Sequence, residues 1–258
     1  MKLLIVPART GVQWFKSGVR TFFRQPLALS GLFLLFMGLI SVLSIIPYVG
    51  NILALGILPG ATLGLMAATR DTDQGRFPMP AVLLSAFRVS RSRIKSMAIL
   101  GLLYALSFLL VLAISATIDG GIFAHMYLFG GELSADTALD ARFELAVMVA
   151  MALYVPLSLL FWHAPALVHW HNVPPVKSLF FSFMACYRNL GAFTIYNLAW
   201  VGAFIGMGVV VTILVSLVGE PEAITGILFP IALVMAAMYF TSIDFSFRAC
   251  FADDDGPL

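Results

Sequence analysis

The chain alternates between long uncharged apolar stretches and short segments that hold its charges. From Gln25 to Thr69, no Asp, Glu, Lys or Arg interrupts the sequence. An apolar helix of about 20 residues crosses a hydrocarbon core of about 30 Å with every backbone N–H and C=O bonded internally. Six stretches meet this requirement, and the sequence therefore predicts six transmembrane helices. Their approximate bounds are 27–47, 52–69, 97–118, 145–167, 193–217 and 224–243.

The links between these spans predict how they pair. Pro47–Asn51 and Gly219–Glu222 are short and carry turn-forming residues, so spans 1 and 2, and spans 5 and 6, are expected to be helical hairpins. Only 11% of the residues are charged and 61% are hydrophobic, whereas a soluble domain has about 25% charged residues. We therefore expect an all-α polytopic membrane protein in which residues 1–258 form a single integral domain.

The basic residues predict the orientation of the spans. With six spans, 14 of the 15 Lys and Arg residues fall on one side, and Arg142 in the loop 119–144 is the exception. Basic loops are retained in the cytoplasm, so both termini are expected there and the loop 119–144 in the periplasm. This arrangement predicts a multi-pass protein of the bacterial inner membrane. Cys186 and Cys250 fall on the cytoplasmic side, where thiols stay reduced.

Residues 1–26 contain a predicted cytoplasmic interfacial helix. Helical periodicity groups apolar side chains on one face and places basic ones beside them at i, i+4 and i+8. The apolar residues are Val12, Phe15, Val19, Phe22 and Phe23, and the basic residues are Lys16, Arg20 and Arg24. The basic stripe is expected to contact anionic lipid, each residue contributing on the order of 1 kcal/mol. The alternative is an ordinary basic flank without lipid selectivity.

Similar segments precede spans 3 and 5. An aromatic residue stands beside an arginine at Phe87–Arg88 and at Tyr187–Arg188, as at Phe23–Arg24. This pattern predicts three units, each an interfacial helix followed by a helical hairpin. The alternative is that both residue types are simply drawn to the membrane interface. Further contacts with anionic lipid are predicted at Arg88, Arg91, Arg93, Lys95 and Arg188.

Several short motifs carry a resemblance to a known family. They are Val49-Gly50-Asn51, Leu58-Pro59-Gly60, Ala164-Pro165-Ala166-Leu167 and Tyr187-Arg188-Asn189. With these motifs the chain resembles an uncharacterised, betaproteobacterial-type family of six-span inner-membrane proteins. It is more distantly similar to the membrane domains attached to some glycerophosphodiester phosphodiesterases. The resemblance implies a fold and a location, and it brings no catalytic residues.

Glycines recur at helix-packing intervals in two spans. Gly56, Gly60 and Gly64 lie at every fourth position of span 2, and Gly202 and Gly206 repeat the interval in span 5. Such spacing lets another helix backbone approach closely. The partner is either another helix of the same chain or a second copy of the chain.

Two clusters are candidates for metal binding. His163, His169 and His171 lie near the inner end of span 4. Their spacing fits no single helix face, and the residues suit the headgroup level equally well. Asp136 and Asp140, with Glu144, would share one face of a helix that begins near Ser134. This face would either attract a divalent cation or be a solvated acidic stripe, and we expect neither cluster to hold a metal.

The absence of catalytic motifs shapes the functional hypotheses. The sequence has no Walker-type phosphate loop, no zincin motif and no nucleophile elbow, so we expect neither an enzyme nor a cofactor or nucleic-acid site. One hypothesis is a non-catalytic protein that associates with membrane lipids, with envelope proteins or with itself. The alternative is a permease or flippase for a neutral or amphipathic solute, with a polar cavity near Asn197 and Thr62.

Overall fold

The fold is all-helical in this computed structural model, which describes residues 2–47, 49–88, 90–131, 133–218 and 223–252. Two short strands accompany the helices. The α-helices are α1 Thr10–Arg24, α2 Pro26–Ser44, α3 Gly50–Asp73, α4 Arg91–Asp119, α5 Ile122–Phe129, α6 Ala135–Ala138, α7 Ala141–Phe161, α8 Ala164–Trp170, α9 Pro175–Arg188, α10 Leu190–Val218 and α11 Ala223–Cys250. A 3₁₀ helix covers Pro80–Phe87, and the strands are β1 Lys2–Leu3 and β2 Phe251–Ala252.

Six helical segments among the described residues are long and apolar enough to cross a membrane. They are Pro26–Ser44, Gly50–Asp73, Arg91–Asp119, Ala141–Trp170, Leu190–Leu217 and Gly226–Cys250. Each overlaps one predicted span, so the six-span prediction is confirmed. The predicted turn at Gly219–Glu222 lies outside the described residues.

The contacts of the chain group into two compact units. The first comprises residues 1–35, 64–83 and 185–258, and the second comprises residues 36–63 and 84–184. In the first unit, α1 packs against α10 and α11, which also pack against each other. In the second unit, α4 packs along α7 and also contacts α5 and α8.

The two ends of the described chain meet in the first unit. Strands β1 and β2 pair antiparallel, with Lys2 opposite Ala252. The side chain of Asn189 holds the residues after β1, because its Oδ1 accepts from Val6 N–H at 2.7 Å and its Nδ2 donates to Leu4 O at 3.0 Å. Both ends therefore lie on the same side of the spans, as an even number of crossings requires.

The segment before α7 differs from the predicted single helix. Ser134 is an N-cap as expected, and its Oγ accepts from Thr137 N–H at 3.1 Å. However, α6 ends at Ala138, and Asp140 caps the new helix α7 by accepting from Arg142 N–H at 2.8 Å. The prediction that Asp136, Asp140 and Glu144 line one helix face is therefore wrong. An acidic residue here satisfies free N–H groups more effectively as a cap than inside a helix.

Candidate functional site

Helix α1 lies tightly against α10 and α11 through two glycines. A Cβ atom on Gly11 would come within 2.1 Å of Ala192 O in α10, and one on Gly18 would come within 2.2 Å of Ser242 Cβ in α11. Between them, the Trp14 ring is 5.1 Å from the Phe193 ring. The backbone of α1 thus approaches both helices at distances that only glycine permits.

This glycine face was not predicted from the sequence. The predicted apolar face instead divides between protein and surroundings: Phe22 is fully buried, Phe15 is partly buried and Phe23 is 64% exposed. The signal for the buried face was present, because Gly11 and Gly18 are seven residues apart and Trp14 lies on the same side of the helix. The apolar residues between this buried face and the basic stripe form a flank of α1 that remains open.

The predicted basic stripe is exposed, but its members have different surroundings. Arg24 pairs with Asp73 of α3, with Nη1 3.1 Å from Oδ1, and also donates to the Asp73 carbonyl at 2.8 Å. Lys16 and Arg20 are exposed, and neither has an acidic partner among the described residues. We call Lys16 and Arg20 the cationic edge of α1.

Arg24 belongs to an ion-pair network that joins three helices. Arg248 Nη1 lies 2.9 Å from Asp73 Oδ2, and Arg248 Nε lies 2.8 Å from Asp244 Oδ2. Arg70 Nε then lies 2.9 Å from the other oxygen of Asp244, which is completely buried. Asp244 and Arg248 lie one turn apart in α11. The network uses Arg24, Arg70 and Arg248 within the protein, whereas the cationic edge is left outside it.

A shallow groove of about 220 Å³ runs between α10 and α11. Asn197 is the one amide side chain among the described residues of its wall, and its Nδ2 donates to Phe193 O at 2.8 Å within α10. The remaining lining is aromatic or aliphatic. The groove is lined by Asn197, Trp200, Val201, Phe204, Ala236 and Tyr239.

The other predicted lipid contacts fall in two groups. Arg88, Arg91 and Lys95, in the second unit, are exposed, and so is Arg188 in the first unit. Arg93 is partly buried and its Nη1 donates to His169 O at 3.0 Å, which caps the last turn of α8. A guanidinium at a helix C-terminus satisfies a free carbonyl and the helix dipole, so Arg93 has a structural role in the second unit.

The predicted packing glycines also differ in their surroundings. A Cβ on Gly101 of α4 would meet Gly56 O at 2.0 Å, one on Gly60 would meet the Phe87 ring, and one on Gly64 would meet Leu83 at 2.7 Å. By contrast, a Cβ on Gly202 or Gly206 would find no described atom within 4 Å. Gly60 and Gly64 of α3 therefore lie at close contacts. A Cβ on Gly56 would be at ordinary distance from Gly101 O, at 3.9 Å, and the glycines of α10 face open space.

The histidines lie where the fourth span is interrupted. Helix α7 ends at Phe161 and α8 begins at Ala164, and the buried His163 stands between them. Ser182 Oγ accepts from His163 N–H at 2.9 Å and donates to Leu159 O at 2.8 Å, so one hydroxyl bonds two backbone groups at the break. Within the described ranges, no group of three His, Cys, Asp or Glu side chains is arranged to hold a metal ion.

Comparison with known proteins supports the membrane fold. No family model matches the chain, and no solved structure matches it. A protein of Burkholderia thailandensis named "Probable inner membrane protein" is 38% identical over 254 residues, which cover 97% of this chain and 94% of that protein. Identity at this level along almost the full length of both chains indicates a common fold with the six helices described above. The chain therefore belongs to the same family of inner-membrane proteins as this Burkholderia thailandensis relative.

Proposed function

We propose that this protein is a non-catalytic inner-membrane protein that associates with anionic phospholipid through the cationic edge of α1. The observation that carries the proposal is the different pairing of three basic residues on one helix. Arg24 is paired with Asp73, whereas Lys16 and Arg20 are exposed without an acidic partner among the described residues. Two exposed cations on the side predicted to face the cytoplasm would attract an anionic headgroup.

The geometry of α1 suits this role. Residues four apart on a helix have Cβ atoms about 5–6 Å apart, so Lys16 and Arg20 can contact the same phosphate. The half-buried Val19 and the exposed Phe23 lie between this edge and the buried glycine face. Helices that lie at the headgroup boundary of a membrane typically carry apolar residues beside basic ones, as α1 does here.

The predicted orientation belongs to the same proposal. Fourteen of the 15 basic residues lie on the side of the paired termini when the six spans are threaded, and this asymmetry favours a cytoplasmic location for both. Reporter fusions at the two ends test it: both fusions should report the cytoplasm, and a periplasmic signal from either end would contradict it. The distant similarity to phosphodiesterase membrane domains stays a prediction.

The groove at Asn197 is the feature that supports the alternative hypothesis, transport of a neutral or amphipathic solute. Two features of the polar groups weigh against it. The Asn197 amide donates to Phe193 O, and the Thr62 hydroxyl donates to Leu58 O at 2.9 Å, so each bonds its own helix. The mostly apolar groove lining fits a hydrocarbon chain better than a hydrated solute.

Lipid retention by the purified protein tests the proposal. Protein extracted into mild detergent should keep anionic phospholipid, detected by native mass spectrometry. A Lys16→Gln, Arg20→Gln double variant should lose it. Arg24→Gln is the matched control, because it removes the same type of charge from the same helix at a position already paired with Asp73. Equal retention by the double variant and the unchanged protein would refute the proposal.

A further inference from the structure

We propose that the groove between α10 and α11 holds an acyl chain of an anionic phospholipid whose headgroup lies at the cationic edge of α1. The inference rests on the proposed function and adds a defined binding site for the hydrophobic part of the lipid. It follows from the lining of the groove, its position beside α1 and its depth along the spans.

The lining suits hydrocarbon. Three aromatic rings form most of the wall, with the Trp200 ring 5.6 Å from that of Tyr239 and 6.2 Å from that of Phe204. Trp200 is only 3% exposed, so the neighbouring rings hold it in place. At about 220 Å³, the groove is smaller than the pockets of about 300–1,000 Å³ that enclose drug-sized ligands. It therefore fits a section of one acyl chain rather than a whole lipid.

The groove and the cationic edge are joined by one ring contact. The Phe15 ring of α1 lies 4.8 Å from the Trp200 ring in the groove wall. Lys16 is the next residue along α1 and is exposed. A phosphate at Lys16 and Arg20 would therefore stand at the rim of the groove, with its hydrocarbon beside Phe15 and Trp200.

The groove lies within one leaflet. Its wall on α10 runs from Asn197 to Phe204, and the predicted span begins at Phe193 on the basic side. At a rise of about 1.5 Å per residue, Phe204 lies about 16 Å from that end, close to the middle of a hydrocarbon core of about 30 Å. On the same scale Asn197 lies about 6 Å from that end, so the groove extends from the upper part of the hydrocarbon on the basic side to about the bilayer midplane.

Quenching of Trp200 by brominated acyl chains tests the inference directly. The protein is reconstituted in phosphatidylcholine vesicles containing phosphatidylglycerol, with bromine on the chains of one lipid or the other. The fluorescence of Trp200 is obtained as the difference between the emission of the unchanged protein and that of the Trp200→Phe variant. Brominated phosphatidylglycerol should quench it more than brominated phosphatidylcholine at equal mole fraction, with a preference of about fivefold per basic residue.

Two variants separate the headgroup site from the groove. Lys16→Gln with Arg20→Gln should remove the preference for phosphatidylglycerol. Ala236→Phe should displace the chain by filling the groove, and Ala232→Phe is its control, since Ala232 is exposed on α11 one turn away and does not line the groove. If Ala236→Phe fails to insert, the dependence of Trp200 quenching on Lys16 and Arg20 decides the question.

The outcomes distinguish the two proposals. Charge-dependent lipid retention without preferential quenching of Trp200 would overturn the groove assignment and leave the proposed function standing. If Ala236→Phe leaves the preferential quenching of Trp200 unchanged, the groove assignment is likewise overturned and the proposed function still stands. Charge-independent retention would overturn the proposed function itself, and with it the groove assignment that rests on it.

Discussion

The carboxylate of Asp244, completely buried in α11, accepts a hydrogen bond of 2.9 Å from Nε of Arg70, which precedes it by 174 residues. Arg70 lies in the last turn of α3, where a cation also favours the helix dipole. The guanidinium of Arg70 further lies 5.6 Å from the centre of the Phe247 ring. Together with the pair between Arg248 and Asp73, this ion pair ties the end of α3 to α11 within the first unit.

Asp244→Asn should destabilise the protein strongly. The substitution leaves Arg70 and Arg248 beside a neutral group, and removal of one partner from a buried pair costs about 3–5 kcal/mol. We expect a clearly lower thermal midpoint for protein in mild detergent, measured by tryptophan fluorescence. Arg76→Gln is the control, since Arg76 is 63% exposed and its pair with Asp71 contributes about 0–1 kcal/mol. Equal midpoints for the two variants would contradict the assigned role of Asp244.

Gly18→Ala and Gly202→Ala should change stability in opposite directions. The new methyl group at Gly18 would overlap Ser242 in α11, and overpacking of this kind costs about 1–3 kcal/mol. At Gly202 no described atom lies within 4 Å, and alanine is a better helix former than glycine by about 1 kcal/mol. The same unfolding measurement checks both variants. A stabilised Gly18→Ala protein would show that α1 does not pack as described.

Cys186 should make stability depend on alkaline pH. Burial, reinforced by the nearby Cys250, raises the pKa of the Cys186 thiol well above its usual range. In the unfolded chain the same thiol ionises near pH 8.5. Above that pH the folded state therefore keeps a proton that the unfolded state loses. The contribution of the Cys186 thiol to the free energy of unfolding is complete below about pH 8.5, and it is lost as pH rises further, by about 1.4 kcal/mol per pH unit.

The Cys186→Ala variant isolates that contribution. Its free energy of unfolding should fall less steeply between pH 8 and pH 10 than that of the unchanged protein. Maleimide labelling gives a second measurement, because only a thiolate reacts. Cys186 in the folded protein should stay unlabelled at a pH where the denatured protein is labelled fully. Rapid labelling of the native protein would refute the burial of this thiol.

Asn189→Ala should release the N-terminal segment. The side chain of Asn189 bonds Val6 N–H, Leu4 O and Ala185 O. Its loss leaves backbone groups of the first residues without partners, at a cost of about 1–3 kcal/mol. Hydrogen exchange should quicken at Leu4 and Val6, while the amides in the middle of α10 keep their protection. Unchanged exchange at Val6 would show that β1 is held by β2 alone.

The six spans could be predicted because lipid imposes a simple rule on sequence. A long uncharged stretch must become a helix, so the predicted bounds fall within the observed helices with small shifts. The pairing of Asp244 with Arg248 was equally accessible, since i and i+4 neighbours share a helix face. By contrast, the pairing of Asp244 with Arg70 depends on tertiary packing, and no local pattern reports contacts across 174 residues.

The candidate site was only partly predictable. The basic stripe of Lys16, Arg20 and Arg24 follows from helical periodicity, but periodicity does not show which member will find an acidic partner. The break between α6 and α7 was missed for a related reason. Asp140 can continue a helix or cap a new one, and in the structure it caps α7.

The docking of α1 onto α10 and α11 has a consequence for biosynthesis. The ribosome makes α1 first among these helices, yet both of its partners emerge only after the four preceding spans have been threaded into the bilayer. Until then, the surface around Gly11 and Gly18 has nothing to cover it. A nascent chain halted before α10 would carry an undocked amphipathic helix, which quality-control proteases could recognise as a sign of incomplete assembly.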